Sequence, residues 1–279
     1  MTVDPAGFGK GVASRAVLQV RAGIAEPKQD LLAEEVPVAV HYDGVPFAVM
    51  MASPGDLVDF AHGFSLTERR IPSTDIVAVE TREVLEGTVL DIRTRDPASL
   101  ATPSDQDRLM PGRSGCGICG NRLLEDVVKH PAAVGDGVAV AVEALETALA
   151  ALQGRQPLNA DTGAIHAAAW CGVDGKLVQV REDVGRHNAL DKLIGAMLRA
   201  GIDSTTGFAL ITSRASYEMV TKAAIAGIPL LAAISAPTAL AVDLAQSCGL
   251  TLAGFVRPGR HVVYSHAWRL RGENLQAGA

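Results

Sequence analysis

The sequence is poor in aromatic residues, in cysteines and in charge. Aromatic residues make up 4% of the 279 residues, so the core must consist mainly of alanine, valine, leucine and isoleucine. Hydrophobic residues make up 48% and charged residues 20%, a composition that is typical of globular proteins and excludes a disordered chain. A chain of this length buries about three quarters of its surface on folding, so it needs no disulfide or metal for stability.

Signals for nucleic acids, export and membranes are also missing. Lysine and arginine number 25 against 31 acidic residues, and a net charge of −6 does not favour a broadly basic nucleic-acid surface. The N-terminus lacks the apolar core and cleavage site of a signal peptide. The charge-free run between Lys222 and Asp243 contains Pro229 and Pro237, which argue against a spanning helix. We therefore expect a cytoplasmic protein with neither nucleic acid nor membrane as a partner.

Composition divides the chain into four segments. Residues 1–30 are polar with small apolar patches, and we expect them to be partly disordered. Residues 31–110 are predicted to form a small α+β lobe. Residues 111–140 are predicted to contain a loop with a close cysteine pair and a connecting helix. Residues 141–279 are predicted to form an α/β lobe that binds a ligand.

Local patterns support the small lobe. Two apolar runs flank Asp43-Gly44, a dipeptide that suits a tight hairpin turn because both positions tolerate positive φ. The following segment has the apolar periodicity of a helix, with one face made by Leu57, Phe60, Ala61 and Phe64.

The larger lobe is predicted from a regular alternation of helices and strands. A helix at 188–200 is followed by strands at 208–213, 229–235 and 251–256, with helices between them. This order predicts an α/β fold with a mostly parallel central sheet.

Polar residues follow each of these three strands, and open α/β sheets bind ligands beyond the carboxyl ends of their strands. Two of the strand ends also precede helix N-termini, which favour anions. Convergence on phosphate groups is therefore one interpretation, and solvated loop arginines with ordinary helix caps are the other. The sequence contains no GxGxxG or P-loop motif to support ordinary dinucleotide or ATPase chemistry. The residues concerned are Arg214 and Ser216, then Thr238, then Arg257, Gly259 and Arg260.

The segment 181–188 is strongly polar and lies directly before an apolar helix. It offers His187 as a candidate base. The alternative is structural: Asn188 caps the helix, and Asp183 pairs with Arg186 on the surface.

The close cysteine pair, Cys116 and Cys119, lies in the glycine-flanked sequence SGCGICG, and Arg113 nearby favours a thiolate. A sulfur-carrying or otherwise nucleophilic thiol is the favoured interpretation. A zinc site, a thioredoxin-like redox pair and an unreactive pair are the alternatives, and no second close Cys/His pair exists to complete a zinc site. Cys171 and Cys248 lie in apolar segments and are predicted to be buried, inert thiols.

Several segments together resemble the formate dehydrogenase accessory sulfurtransferase family, FdhD/NarQ. The resemblance covers residues 36–264 and rests on SGCGICG at 114–120, REDVGRHNALDKLIG at 181–195, the segment 218–257 and, more loosely, PGDLVDFAHGF at 54–64. It implies a homodimer whose C-terminal lobe has a cytidine-deaminase-like fold without the deaminase zinc motif.

The resemblance also implies a function. The family takes sulfur from a cysteine desulfurase as a persulfide and passes it to the molybdenum bis(molybdopterin guanine dinucleotide) cofactor, which formate dehydrogenase requires. It assigns the persulfide to Cys116 and leaves the role of Cys119 open. The cofactor is then a bound substrate, and we expect neither a resident cofactor nor a metal. The implied cofactor-binding stretch is Phe255, Val256, Arg257, Pro258, Gly259 and Arg260.

Two other functions remain open. One is a chaperone that binds the cofactor without transferring sulfur, and the other is a zinc-stabilised binding module.

Overall fold

The computed structural model describes residues 11–97 and 131–272. The first described element is an antiparallel hairpin of β1 (Val12–Arg21) and β2 (Ile24–Ala33), joined by Ala22-Gly23. The expectation of partial disorder is therefore wrong for residues 12–30. Hydrogen bonds pair the two strands along their shared edge while most of the side chains stay exposed, so this hairpin forms without the apolar pattern of a buried element.

A four-stranded sheet follows, in the spatial order β4-β3-β6-β5. As predicted, β3 and β4 form a hairpin through Asp43-Gly44, where both residues have positive φ. The helix α1 (Leu57–Arg69) packs on this sheet, and the predicted face of Leu57, Phe60, Ala61 and Phe64 is buried. The strands are β3 (Val36–Tyr42), β4 (Val45–Ala52), β5 (Ile76–Val84) and β6 (Gly87–Thr94).

The second half of the chain forms a six-stranded sheet in the order β13-β12-β11-β10-β8-β9. The strands are β8 (His166–Gly172), β9 (Leu177–Asp183), β10 (Gly207–Ile211), β11 (Leu230–Ala233), β12 (Thr251–Arg257) and β13 (Arg260–Ser265). The short strands β7 (Val140–Ala141) and β14 (Leu270–Arg271) pair separately.

This sheet corrects the prediction of a mostly parallel arrangement. Only β10, β11 and β12 are parallel neighbours, and the remaining three pairings are antiparallel. Short turns join β8 to β9 and β12 to β13. Because a short turn reverses the direction of the chain, both pairs are antiparallel, whereas a parallel pair needs a long crossover.

Helices cover both faces of the six-stranded sheet. One face packs against α2, and the other face packs against α4, α5 and α6. The helices are α2 (Val142–Gln153), α3 (Pro157–Thr162), α4 (Arg186–Arg199), α5 (Tyr217–Ile225) and α6 (Ala239–Ser247). The mixed α/β class predicted from the sequence is confirmed. Within the part of the chain that the structure describes, no helix is both long and apolar enough to cross a bilayer.

The two lobes meet where α1 crosses α4, through a pair of glycines. A Cβ atom on Gly63 would lie 1.8 Å from the carbonyl oxygen of Asp191, and one on Gly195 would lie 1.8 Å from that of Asp59. The two helix backbones therefore touch. A buried ionic cluster of Lys222, Asp191, Glu68 and Thr67 lies beside this crossing.

Candidate functional site

Four strands end at the same edge of the large sheet. The strand β9 is antiparallel to β8, and β8 is antiparallel to β10, so β9 runs in the same direction as β10, β11 and β12. The helices α4, α5 and α6 begin after β9, β10 and β11 respectively, so their N-termini lie at this edge. Their free N–H groups give the edge a partial positive charge that favours an anionic ligand.

Hydrogen bonds join the loops that follow β10, β11 and β12. Ala215 pairs with Pro237 in a parallel bridge, and the Thr238 N–H donates to the Ala215 carbonyl oxygen at 3.1 Å. The Phe255 N–H donates to the Ser235 carbonyl oxygen at 3.1 Å. The structure thus brings the three strand ends of the sequence prediction together at one edge.

The two predicted helix caps differ. The Thr238 hydroxyl accepts the Ala241 N–H at 3.3 Å and so caps α6 in the ordinary way. The Ser216 hydroxyl makes no side-chain cap at α5, and this oxygen is buried without a hydrogen-bond partner among the described residues. Thr238 thus has a structural role, while Ser216 retains the capacity to bind a ligand.

The stretch 255–260 is irregular. Phe255 has a φ of +52° and is 38% exposed, and the register of β12 against β13 shifts next to it. The Arg257 guanidinium donates to the carbonyl oxygens of Ile234 and Val256. Pro258 and Gly259 form the turn to β13, and Arg260 is exposed at its start. The Val256 side chain is 1% exposed and packs in the core, so it is not available to a ligand.

Convergence of the three arginines on one point is not observed. Arg257 lines a groove on the face of the sheet that α2 covers, whereas Arg214 lies in the loop that leads to α5 on the other face. A single ligand would have to extend across the sheet edge to meet both residues.

The groove beside Arg257 was not foreseen from the sequence. It has a volume of about 730 Å³ and lies between α2, the start of α3 and the ends of β11 and β12. Nothing in the sequence of α2 indicated that this helix helps to form a groove. Its lining includes Glu146, Leu149, Leu152, Gln156, Ile234 and Arg257.

The polar segment 181–188 forms neither the Asn188 helix cap nor the surface pair of Asp183 with Arg186 that its structural interpretation predicted. Asp183 is fully buried and pairs with Lys192 at 2.6 Å rather than with Arg186 on the surface. The N-cap of α4 is Gly185, and the Asn188 amide instead donates to the Met51 carbonyl oxygen and to Asp183. Both parts of that alternative are wrong because the segment lies against the N-terminal lobe.

His187 contacts a carboxylate that the sequence did not indicate. Its Nε2 atom lies 2.7 Å from Oε2 of Glu218, and the His187 side chain is 8% exposed. Burial lowers the pKa of nearby His166, and the positive charge of Arg186 lowers it further, while Asp183 opposes this. Arg186 therefore contributes a positive charge at the start of α4.

The cysteines divide into two groups. Cys116, Cys119 and the loop that holds them lie outside the described residues. Cys171 and Cys248 are buried, as predicted, and burial raises the pKa of both thiols. Within residues 11–97 and 131–272, no group of three or more histidine, cysteine or acidic side chains is placed to hold a metal ion.

Comparisons with known proteins agree with the sequence motifs. The model of the FdhD/NarQ family matches residues 33–271. The sulfur carrier protein FdhD of Xanthomonas euvesicatoria pv. vesicatoria is 55% identical, and the match covers 93% of this chain and 92% of that protein. The sulfur carrier protein FdhD of Cupriavidus necator is 49% identical, with 92% and 90% covered.

A solved structure shows the same fold. It is the crystal structure of a protein from Desulfotalea psychrophila described as a formate dehydrogenase accessory protein, with a TM-score of 0.73 and 23% identity. The match covers 94% of this chain and 100% of that chain. Because the family model and close relatives match almost the whole chain, this protein belongs to the FdhD/NarQ family.

Proposed function

We propose that this chain is a cytoplasmic sulfur carrier that supports formate dehydrogenase. It receives persulfide sulfur from a cysteine desulfurase on Cys116 and delivers it to the molybdenum bis(molybdopterin guanine dinucleotide) cofactor. The observation that carries this proposal is 55% identity, over 93% of the chain, to a protein named as a sulfur carrier. By the same family resemblance the working form is a homodimer.

The described cysteines support the choice of Cys116 by exclusion. Thiol exchange requires an accessible thiolate. Cys171 and Cys248 are buried with raised pKa values, so neither suits this chemistry. The glycine-flanked pair Cys116 and Cys119 is left as the site of sulfur loading.

The loading step is an ordinary exchange of a sulfur–sulfur bond. The Cys116 thiolate attacks the terminal sulfur of the desulfurase persulfide, and the desulfurase cysteine leaves as a thiolate. One sulfur–sulfur bond breaks and one forms, so no external oxidant or reductant is required.

The sheet edge suits the sulfur acceptor as a bound substrate. That cofactor carries phosphate groups, which helix N-termini and arginine side chains bind well. The edge offers the N-termini of α4, α5 and α6, the unused hydroxyl of Ser216, and the guanidinium groups of Arg214, Arg257 and Arg260.

Mass spectrometry of the intact protein tests the carrier role. After incubation with a cysteine desulfurase and cysteine, the mass should rise by whole sulfur atoms. Cys116→Ser should lose most of this gain, while the buried-thiol control Cys171→Ser should keep it. Full loading of Cys116→Ser would assign the role to Cys119 or contradict the proposal. No loading of the unaltered protein would favour a chaperone without transfer activity.

Calorimetric titration with GDP tests the cofactor site, because GDP supplies part of the cofactor's contacts. Each charge-assisted hydrogen bond contributes about 1.5–3 kcal/mol, so Arg257→Ala or Arg260→Ala should weaken binding roughly tenfold or more. The double variant Arg257→Ala/Arg260→Ala should still load sulfur on Cys116 yet fail to activate formate dehydrogenase. Unchanged GDP affinity in the double variant would show that the cofactor binds elsewhere.

A further inference from the structure

The N-terminal hairpin stands apart from the two larger sheets. Among the described residues, β1 and β2 pair only with each other. The hairpin is attached at its base, where the Glu34 N–H donates to the Gly11 carbonyl oxygen at 2.8 Å and Val12 is buried. From residue 20 to residue 29 every residue is exposed. The distal half of the hairpin is therefore an exposed arm.

The side chains of this arm separate by polarity onto two faces. Directly opposite residues of paired strands share a face, and the register places Leu18 opposite Pro27 and Val20 opposite Ala25. The face that these pairs form contains no charged residue. The exposed residues of this uncharged face are Ala16, Leu18, Val20, Ala25, Pro27 and Gln29.

This arrangement is the reverse of an ordinary two-faced sheet, in which apolar residues face the core. Leu18 is 63% exposed and Val20 is 62% exposed. Of the thirteen large apolar residues that are exposed in the described part of the chain, four lie in this 22-residue hairpin. Because an isolated two-stranded hairpin is only marginally stable in water, a partner that covers the uncharged face would stabilise the arm.

The charges of the arm lie on the opposite face and nearly cancel. Three are basic and two are acidic, and the whole chain has a net charge of −6, so a lipid surface with anionic headgroups is not favoured. An uncharged face also lacks the groups that select an unlike protein, because charges across an interface suppress wrong partners. Such a face is complementary to a copy of itself. The charged residues are Arg15, Arg21, Glu26, Lys28 and Asp30.

We infer that the uncharged face of this arm packs against the same face of a second copy of the chain, about a two-fold axis near Leu18 and Pro27. A two-fold contact requires one self-complementary face, and it is the commonest symmetry of soluble oligomers. The two arms then form a small sandwich with apolar side chains inside and charged side chains outside. The inference rests on the homodimer of the proposed function and gives that dimer a defined interface.

The size of the face fits such a contact. Each strand of the hairpin has ten residues, so it is about 33 Å long, and two paired strands are about 10 Å wide. Two such faces in contact approach about 1,200 Å² of buried surface, the lower limit of a standard protein interface. The arms alone therefore supply most of the area that a stable dimer needs.

Sedimentation equilibrium of the full chain tests the interface. The unaltered protein should be a dimer. Leu18→Asp should raise the dissociation constant of the dimer about hundredfold or more, because it places a charge in an apolar contact and two-fold symmetry makes the substitution act twice. Ile24→Asp is the matched control. Ile24 is 65% exposed but lies on the charged face, so this variant should remain a dimer.

Cross-linking locates the axis. A Cys116→Ser/Cys119→Ser background retains only the two buried thiols. In this background a short bismaleimide should join Leu18→Cys to its copy, because the two new thiols face each other. Lys28→Cys places its thiol on the charged face, so both hairpins lie between the two thiols and the chains should stay separate on a denaturing gel.

Three results would overturn the inference. A dimer that Leu18→Asp leaves intact, or cross-linking of Lys28→Cys in preference to Leu18→Cys, would place the interface elsewhere while the proposed homodimer stands. A monomeric unaltered protein would overturn both, and its sedimentation with phosphatidylcholine–phosphatidylglycerol vesicles would assign the face to a lipid surface instead. Sulfur loading on Cys116 is measured separately, so the proposed carrier role can survive each of these results.

Discussion

Nζ of Lys192 lies 2.6 Å from Oδ2 of Asp183, and both side chains are fully buried. Ser53 of the N-terminal lobe completes this pair: its N–H donates to Asp183 at 3.0 Å, and its carbonyl oxygen accepts from Lys192 at 2.9 Å. The ion pair therefore binds a backbone segment of one lobe to the end of β9 and the middle of α4 in the other.

Replacing Lys192 by methionine should destabilise the protein strongly. The substitution keeps side-chain volume but leaves the Asp183 carboxylate buried without its cation, and breaking a buried pair in this way costs about 3–5 kcal/mol. Urea unfolding followed by circular dichroism measures the change. Lys176→Met is the control, because Lys176 pairs with Asp174 at the surface with 83% of its side chain exposed. Equal urea midpoints for Lys192→Met and the unaltered protein would contradict the proposed role of the pair.

Gly195→Ala should also destabilise the protein, although alanine is the better helix former. The helical preference is worth about 1 kcal/mol in favour of alanine. The new Cβ atom would lie 1.8 Å from the backbone oxygen of Asp59, so the helices must separate, and overpacking of this kind costs about 1–3 kcal/mol or more. Gly55→Ala, where no atom lies within 4 Å, is the control for thermal unfolding. A Gly195→Ala protein as stable as the Gly55→Ala protein would show that the crossing adjusts freely.

Stability should fall on mild acidification because of two histidines. Burial lowers the pKa of His62 and of His166 below the ordinary value of 6.5. The unfolded chain then binds more protons than the folded protein between those lowered values and 6.5, so stability decreases as pH falls through that window. Urea midpoints measured between pH 7.5 and 5.5 should show this slope. The slope should be smaller in the double variant His62→Asn/His166→Asn, and an unchanged slope would assign it to other groups.

The two buried thiols should be inert in the native protein. In a Cys116→Ser/Cys119→Ser variant, Ellman's reagent should react slowly before denaturation, because Cys171 and Cys248 are buried and their raised pKa values keep them protonated. After denaturation in guanidinium chloride, both thiols should react at once. Rapid reaction in the native state would show that one of them reaches solvent and would weaken the case for Cys116 by exclusion.

The sequence predicted the features that depend on neighbouring residues. Asp43-Gly44 forms its turn because positive φ is a local property, and α1 buries its predicted face because helical periodicity is local too. The parallel order of β10, β11 and β12 follows from the helices between them.

Features that depend on distant contacts were not predictable in this way. Asp183 pairs with Lys192, which is near it in the chain. Ser53, whose backbone hydrogen-bonds to both side chains, is 130 residues away from Asp183 in the chain. Glu218, which contacts His187, is on a different helix. Gln156 and Glu146 carry no motif, and only the packing of α2 and α3 beside the end of β12 places them in one groove with Arg257.

The glycine crossing of α1 and α4 also limits how the molecule moves. The backbones of these helices touch and buried ion pairs lie beside the contact, so a rotation that separated those charges in a medium of low dielectric constant would be costly. The crossing therefore opposes rotation of one lobe against the other.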